Sequence, residues 1–238
     1  MKQRGKFTLR HPRATRSKPS HDPAAQTWLQ LARVNSRQLP PRFRRDDVRF
    51  SDTLVEHFVA KFTRAGQLVF DPFAGYGTTL LVAEKMGRLG YGMEYGREKA
   101  SFVQGLLRDP GHLIHGDSRR LLEYDVPFFD LCLTSPPYTN KSDRDNPFVD
   151  HRQSGFDYQS YLREMGGVFS QLSQRMKPFG HVVIEISNLK KDGEVTTLAW
   201  DVAREVSQVF HFEGETVICW DNYGYGYNHS YCLVFAGT

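Results

Sequence analysis

The sequence predicts an α/β protein: a seven-stranded, mostly parallel sheet with helices on both faces and its last strand antiparallel. Three observations predict it. From Asp52 onward, short apolar runs alternate with segments of helical periodicity. Residues 67–88, QLVFDPFAGYGTTLLVAEKMGR, read as strand, Gly-rich turn and helix. The last two strand-like runs, GETVICWDN and HSYCLVFAG, are joined by a loop too short for a right-handed crossover, so they pair antiparallel.

Each element has its own signal. The Pro- and Arg-rich residues 1–50 contain one short helical pattern, AAQTWLQLARV. In TLVEHFVAKF, Leu54, Val55, Phe58, Val59 and Phe62 share a helical face, and Thr53 with Glu56 forms a candidate capping box. After the Gly-rich turn and its helix come a strand, GYGMEY, a helix through REKASFVQGLLRD, and a strand, HLIHGD. FFDLCLTSPPY is a strand that must stop at its two prolines, which cannot donate ladder hydrogen bonds. A polar stretch, 139–156, leads to a long helix with Tyr158, Tyr161, Leu162, Met165, Val168, Phe169, Leu172 and Met176 on one stripe. GHVVIEIS is a strand, and EVTTLAWDVAREVSQVF a helix with Leu198, Val202 and Val206 inward.

Bulk properties set the class. The 238 residues suffice for one domain with a real core, and 39% hydrophobic with 24% charged residues is ordinary for a globular protein. The opening MKQRGKFTLRHPR lacks the apolar stretch of a secretory signal, and no run approaches the ~20 apolar residues of a membrane helix. Cys132, Cys219 and Cys232 sit in apolar runs, as reduced thiols of a cytoplasmic protein would, and their spacing fits no metal site. Charge is uneven. Residues 1–45 hold twelve Lys and Arg against one Asp, a net of +11; subtracting that from the overall +4 leaves −7 for the rest. The expected organisation is a basic arm, residues 1–50, ahead of a catalytic domain, residues 51–238. Such an arm suits a polyanion partner, and a solvated tail would carry the same charge.

Two motifs carry chemistry. In VFDPFAGYGTT, Gly75 and Gly77 stand at a strand-to-helix turn where backbone can approach a ligand, and the helix from Thr78 offers free N–H groups. Glu94, nineteen residues beyond Gly75, is placed to accept from a ribose diol, and Asp117, ending the third strand, from an adenine amino group. The pattern is neither GxGxxG nor a P-loop, so the ligand is a nucleoside without a pyrophosphate. In TSPPY, the Ser135 hydroxyl and Pro136 carbonyl are acceptors of the type needed to bind the two N–H groups of an exocyclic amine off its ring plane, making its nitrogen more tetrahedral and nucleophilic. Paired proline rings stiffen the corner, and Tyr138 can stack on an extruded base.

DPFAGYGTT followed by TSPPY resembles the S-adenosylmethionine-dependent DNA amino-methyltransferases, over a span from about Phe50 to Thr238. The resemblance implies a class I methyltransferase, Rossmann-like fold, S-adenosylmethionine as cofactor and S-adenosylhomocysteine as product. It implies a cofactor site of Asp71, Pro72, Phe73, Ala74, Gly75, Gly77, Thr78, Thr79, Glu94, Tyr95, Asp117 and Ser118, with Phe50 and Ser51 joining from the upstream segment. A hydrophobic staple is the other reading of Phe50. The catalytic set is Ser135, Pro136, Pro137 and Tyr138. Serine at its first position points to cytosine N4 in double-stranded DNA, with base flipping; adenine N6, or an RNA amine, is the alternative. The resemblance further implies sequence-specific methylation beside a cognate restriction endonuclease; a homodimer is the expected assembly.

Nucleic-acid contacts are expected from Arg42, Arg44 and Arg45 and from Lys141, Arg144 and Arg152 of the 139–156 stretch, read as a mobile loop over the flipped base. In DNYGYGYNHSY, Tyr223, Tyr225 and Tyr227 read as a hairpin-like turn with half-exposed rings, and stacking on a nucleobase is the other reading.

Overall fold

The computed structural model describes residues 27–44, 48–149, 156–221 and 227–237. Its elements in chain order are β1 (Trp28–Leu31), α1 (Asp52–Phe62), β2 (Leu68–Asp71), α2 (Thr78–Lys85), β3 (Leu89–Glu94), α3 (Arg97–Gln104), β4 (Leu113–His115), β5 (Phe129–Thr134), α4 (Tyr158–Ser173), β6 (Met176–Ile186), β7 (Leu189–Lys191), β8 (Glu194–Thr196), α5 (Leu198–Val206), β9 (His211–Trp220) and β10 (His229–Ala236). The main sheet has the order β1-β9-β10-β6-β5-β2-β3-β4. Strands β4, β3, β2, β5 and β6 run parallel, and β10 is antiparallel to both β6 and β9.

Fully buried runs explain the parallel centre. LVFD of β2 is buried at all four positions, as a strand covered on both faces must be. One face carries α4 and α5, whose Tyr161, Met165, Phe169, Leu198 and Val202 meet Phe70, Cys132 and Ile184. The other carries α1 and α2, whose Leu54, Phe58 and Val82 meet Val69, Leu133 and Val183. Cys132 and Cys232 are buried and free, and burial pushes both thiols well above their ordinary range; Cys219 is half-buried and also free.

The structure corrects several expectations. The main sheet has eight strands, not seven, because the segment read as a short helix at AAQTWLQLARV supplies β1. Trp28–Leu31 alternates exposed and half-buried, with Leu29 and Leu31 against the α1 side, and it pairs parallel with Val217–Trp220. The hydrogen bonds offered by the open β9 edge outweigh a short helical pattern. The residue-50 boundary falls inside packed structure. Leu39 and Phe43 are buried, Phe43 against Tyr76 (ring centroids 5.4 Å apart), and the Asp52 N–H donates to the Val34 carbonyl (2.8 Å).

No capping box forms at α1. Ser51 is the N-cap residue, but its hydroxyl accepts from the Val34 N–H (2.9 Å), and Glu56 pairs with Lys85 (3.0 Å). The last helix starts at Leu198, since Glu194–Thr196 forms a hairpin with Leu189–Lys191 through Asp192 and Gly193, both at positive φ. The long helix ends at Ser173, and Met176 opens β6. Most of the basic arm, with Arg45, Arg152, Tyr223 and Tyr225, lies outside the described residues.

Candidate active site

The strand order reverses between β2 and β5, and ligands of open α/β sheets bind at such a switch point, beyond the carboxyl ends of the strands. A cavity of about 590 Å³ opens there, in the size range of small-molecule sites. It is lined by Phe50, Ser51, Asp71, Pro72, Phe73, Ala74, Gly75, Thr78, Thr79, Glu94, Tyr95, Asp117 and Ser118, together with Ser135, Pro136, Pro137 and Tyr138. Of the residues expected at the two motifs, only Gly77 does not line it.

Gly77 has a different task from Gly75. It begins α2 with φ 75°, and a Cβ there would stand 2.5 Å from Val103 Cγ1, so glycine lets α2 and α3 close on each other. Gly75 also has positive φ, 52°, but its missing Cβ would meet no protein atom closer than 3.9 Å. Its open space belongs to the cavity.

Glu94 spans two loops. One oxygen accepts from the Gly75 N–H (2.9 Å), the other from the Gly96 N–H (2.7 Å). A carboxylate has about four acceptor sites, so both oxygens keep capacity for a ligand's hydroxyls. Asp71 lies deeper, accepting from the Thr134 hydroxyl (2.6 Å) and the Phe73 N–H (3.0 Å). Burial pushes its carboxyl up to about 6, against the opposing pull of those hydrogen bonds. Asp117 lines the cavity with both oxygens held by Arg119: Nε lies 3.0 and 3.1 Å from them, and Nη2 lies 2.7 Å from Oδ2. Burial would raise its carboxyl, but the Arg119 hydrogen bonds and charge outweigh it and hold Asp117 low. An adenine amino group would therefore share Asp117 with a resident guanidinium. The Ser118 hydroxyl donates to the Pro72 carbonyl, tying this loop to the Gly-rich turn.

The proline corner is held from two sides. Buried Tyr161 on α4 donates its hydroxyl to the Pro137 carbonyl (3.0 Å), while no described residue donates to the Pro136 carbonyl. Toward the cavity, the Ser135 hydroxyl donates to Glu185 Oε2 (3.0 Å), and the Tyr138 hydroxyl reaches the same oxygen (3.2 Å). Glu185, at the carboxyl end of β6, also lines the cavity and was missed by the sequence reading. Its signal was present: an acid inside the otherwise apolar run VVIEI is one of the few charges a buried strand carries for a reason.

The 139–156 stretch is not a free lid over its described part. Phe148 is buried between Phe73 (5.9 Å) and Tyr161 (5.4 Å), with the Arg119 guanidinium 5.9 Å from its ring. Asn146 is buried too, and its Oδ1 accepts from the Phe148 N–H (2.9 Å). Of the expected nucleic-acid contacts, Arg42, Arg44, Lys141 and Arg144 are exposed, but none lines the cavity. Its rim instead carries Arg33, Arg49, Lys99, Lys190 and Lys191, above a floor that holds Asp71, Glu94, Asp117 and Glu185. Among the described residues no His, Cys, Asp and Glu group is arranged to hold a metal ion, and no helix is long and apolar enough to cross a membrane.

The chain has the class I methyltransferase fold. TrmN from Thermus thermophilus matches it with a TM-score of 0.59 at 17% identity, over 83% of this chain and 52% of that one, so the chain spans about half the length of TrmN. A SAM-dependent methyltransferase from Methanosarcina mazei matches with a TM-score of 0.55 at 11% identity, over 76% of this chain and 96% of that one. An rRNA methylase from Streptococcus thermophilus matches with a TM-score of 0.52 at 14% identity, over 80% of this chain and 98% of that one. In sequence, residues 2–104 match a family model described as DNA methylase, the N6_N4_Mtase family. That stretch holds the Gly-rich turn and Glu94 and ends ahead of the Ser-Pro-Pro-Tyr corner. No curated protein matches the chain.

Proposed function

We propose that this protein is an S-adenosylmethionine-dependent methyltransferase that acts on the exocyclic N4 amine of cytosine in DNA. One observation carries the proposal: the carboxylate cradle of Glu94 and Asp71 and the Ser135–Tyr138 corner line a single cavity. The DNA methylase match over residues 2–104 supports the choice of polymer.

The cavity suits the cofactor. Glu94 keeps acceptor capacity for a ribose diol, the Gly75 backbone leaves space where a side chain would stand, and the acidic floor attracts a sulfonium and an ammonium group. S-adenosylmethionine supplies an electrophilic methyl group when bound. The chain's own residues prepare the amine. Because the Ser135 hydroxyl points its proton at Glu185, its oxygen lone pairs are left to accept from one amine N–H. The Pro136 carbonyl accepts from the other. Together they draw the nitrogen lone pair out of conjugation. Tyr138, its hydroxyl anchored on Glu185, offers its ring to the base. The proton lost after transfer passes to Ser135 Oγ as the hydroxyl hands its own proton on to the Glu185 carboxylate, or it passes directly to water.

The test is nucleoside mass spectrometry. Purified protein, S-adenosylmethionine and unmethylated genomic DNA should yield N4-methylcytosine after digestion. N6-methyladenine in its place would keep the site and overturn the base; neither product, with S-adenosylhomocysteine still bound in calorimetry, would overturn DNA as the polymer.

A further inference from the structure

A strip of aromatic side chains leaves the rim of the cavity and is used by nothing described above. It starts at Lys190, which lines the cavity and forms no ion pair among the described residues; its Nζ sits 4.5 Å from the centroid of the Tyr227 ring. Tyr227 meets His229 edge-on (centroids 5.3 Å apart, 73° between planes). His229 meets Tyr231 in the same way (5.2 Å, 87°), with Nε2 3.0 Å from the tyrosine hydroxyl. Trp200, at the start of α5, is tilted against Tyr231 (4.9 Å, 55°) and is 39% exposed. His229 and Tyr231 stand two residues apart on β10, hence on one face of the sheet.

Three features give this strip a partner. None of its pairs is stacked face to face, and Tyr227, His229, Tyr231 and Trp200 all keep exposed surface. Rings left open in this way are platforms for further flat groups. Its cavity end carries the unpaired cation Lys190, with Lys191 beside it, although Asp143 holds Lys191 at 2.9 Å. It is continuous with the catalytic corner, since the Ser187 hydroxyl, two residues beyond Glu185, reaches the His229 carbonyl (3.4 Å). Cations beside successive aromatic platforms are how proteins hold unpaired nucleic acid.

We propose that the Tyr227–His229–Tyr231–Trp200 strip binds the unpaired strand that flanks the target base, with Lys190 on its phosphate. This rests on the methyltransferase reading and narrows it, because the strand bearing the target is then held single-stranded beside the site. A duplex offers only its base edges and cannot stack along the strip.

The experiment titrates a labelled twelve-nucleotide single-stranded DNA into the full chain, its Tyr227→Ala variant and its Trp200→Ala variant, and measures S-adenosylhomocysteine binding to each by calorimetry. Each loss of a stacking ring is expected to weaken the oligonucleotide by roughly five- to a hundredfold while leaving the S-adenosylhomocysteine affinity unchanged. A second readout needs no variant: the oligonucleotide should quench tryptophan fluorescence in the wild type; in a Trp200→Phe chain that still binds S-adenosylhomocysteine, that quenching should be lost. Oligonucleotide affinities within twofold of wild type in both alanine variants, or no quenching, overturn the strip. Failure of S-adenosylhomocysteine to bind the wild type overturns the methyltransferase reading instead, and the two failures are thereby distinct.

Discussion

The Gly-rich turn after β2 and the proline corner after β5 face one cavity from neighbouring strands, and they are built in opposite ways. The turn is closed mostly by nearby chain: Gly77 N–H to the Ala74 carbonyl (2.7 Å), Phe73 N–H to Asp71 (3.0 Å), and Glu94 from the very next strand, with Ser118 and Thr134 adding longer-range bonds to Pro72 and Asp71. The corner is closed by distant chain: Tyr161, 24 residues beyond Pro137, and Glu185, 50 residues beyond Ser135. The backbone geometry of the first site is thus set mostly by β2, α2 and β3. The second acquires its geometry only when α4 and β6 are in place. Changes at the turn should therefore act on ligand binding or stability, and changes around the corner on turnover.

The largest effect is expected at Glu94. Glu94→Ala removes a carboxylate that accepts two backbone N–H groups, and charge-assisted hydrogen bonds are worth about 1.5–3 kcal/mol each. S-adenosylhomocysteine affinity should fall at least a hundredfold in calorimetry; an unchanged affinity would move the cofactor elsewhere.

Asp71 tests the same side through pH. Its folded value of about 6 stands above the ordinary 3.8, so the folded chain holds the proton more tightly than the unfolded one. The stability this group contributes is full below about pH 4 and is lost as pH rises through 6. A displacement from 3.8 to about 6 corresponds to about 3 kcal/mol. In urea unfolding at pH 4 and pH 7.5, wild type should lose about that much more stability than Asp71→Asn, whose amide does not titrate. Identical slopes in the two proteins would remove Asp71 as the cause.

At the corner, Glu185→Gln keeps shape and burial but weakens the acceptor that orients Ser135. Turnover should fall about ten- to a hundredfold, the worth of one charge-assisted hydrogen bond, while S-adenosylhomocysteine affinity changes little. A loss in affinity with turnover preserved would erase the contrast between the two regions.

The smallest effect is structural. Gly77→Ala sets a methyl against Val103 at a positive φ and should cost about 1–3 kcal/mol of stability, partly recovered by Val103→Ala in the same chain. Gly75→Ala meets no protein atom closer than 3.9 Å, so its loss should appear in ligand affinity, with only the backbone strain of its φ in stability.

From Asp52 onward, the sequence by itself determined the order of the main-sheet strands and their helices, the reversed final strand, the Gly-rich turn and the proline corner. Each of these is governed by short-range physics. Apolar spacing selects helix or strand, a positive φ demands glycine at Gly75 and Gly77, and two prolines end β5 whatever surrounds them. Tertiary structure decided the rest. Trp28–Leu31 became a strand because β9 offered it an open edge, and four residues hold too little periodicity to announce that. Glu185 joined Ser135 and Tyr138 because β6 lies beside β5, a neighbourhood set by the sheet order. Glu164 of α4 fixed the Arg119 guanidinium that holds Asp117, and Phe148 closed the 139–149 segment onto Tyr161 of α4, through contacts that no local window contains. Turns and caps draw their free energy from residues a few positions apart. A site assembled across strands draws it from groups that meet only after the chain has folded.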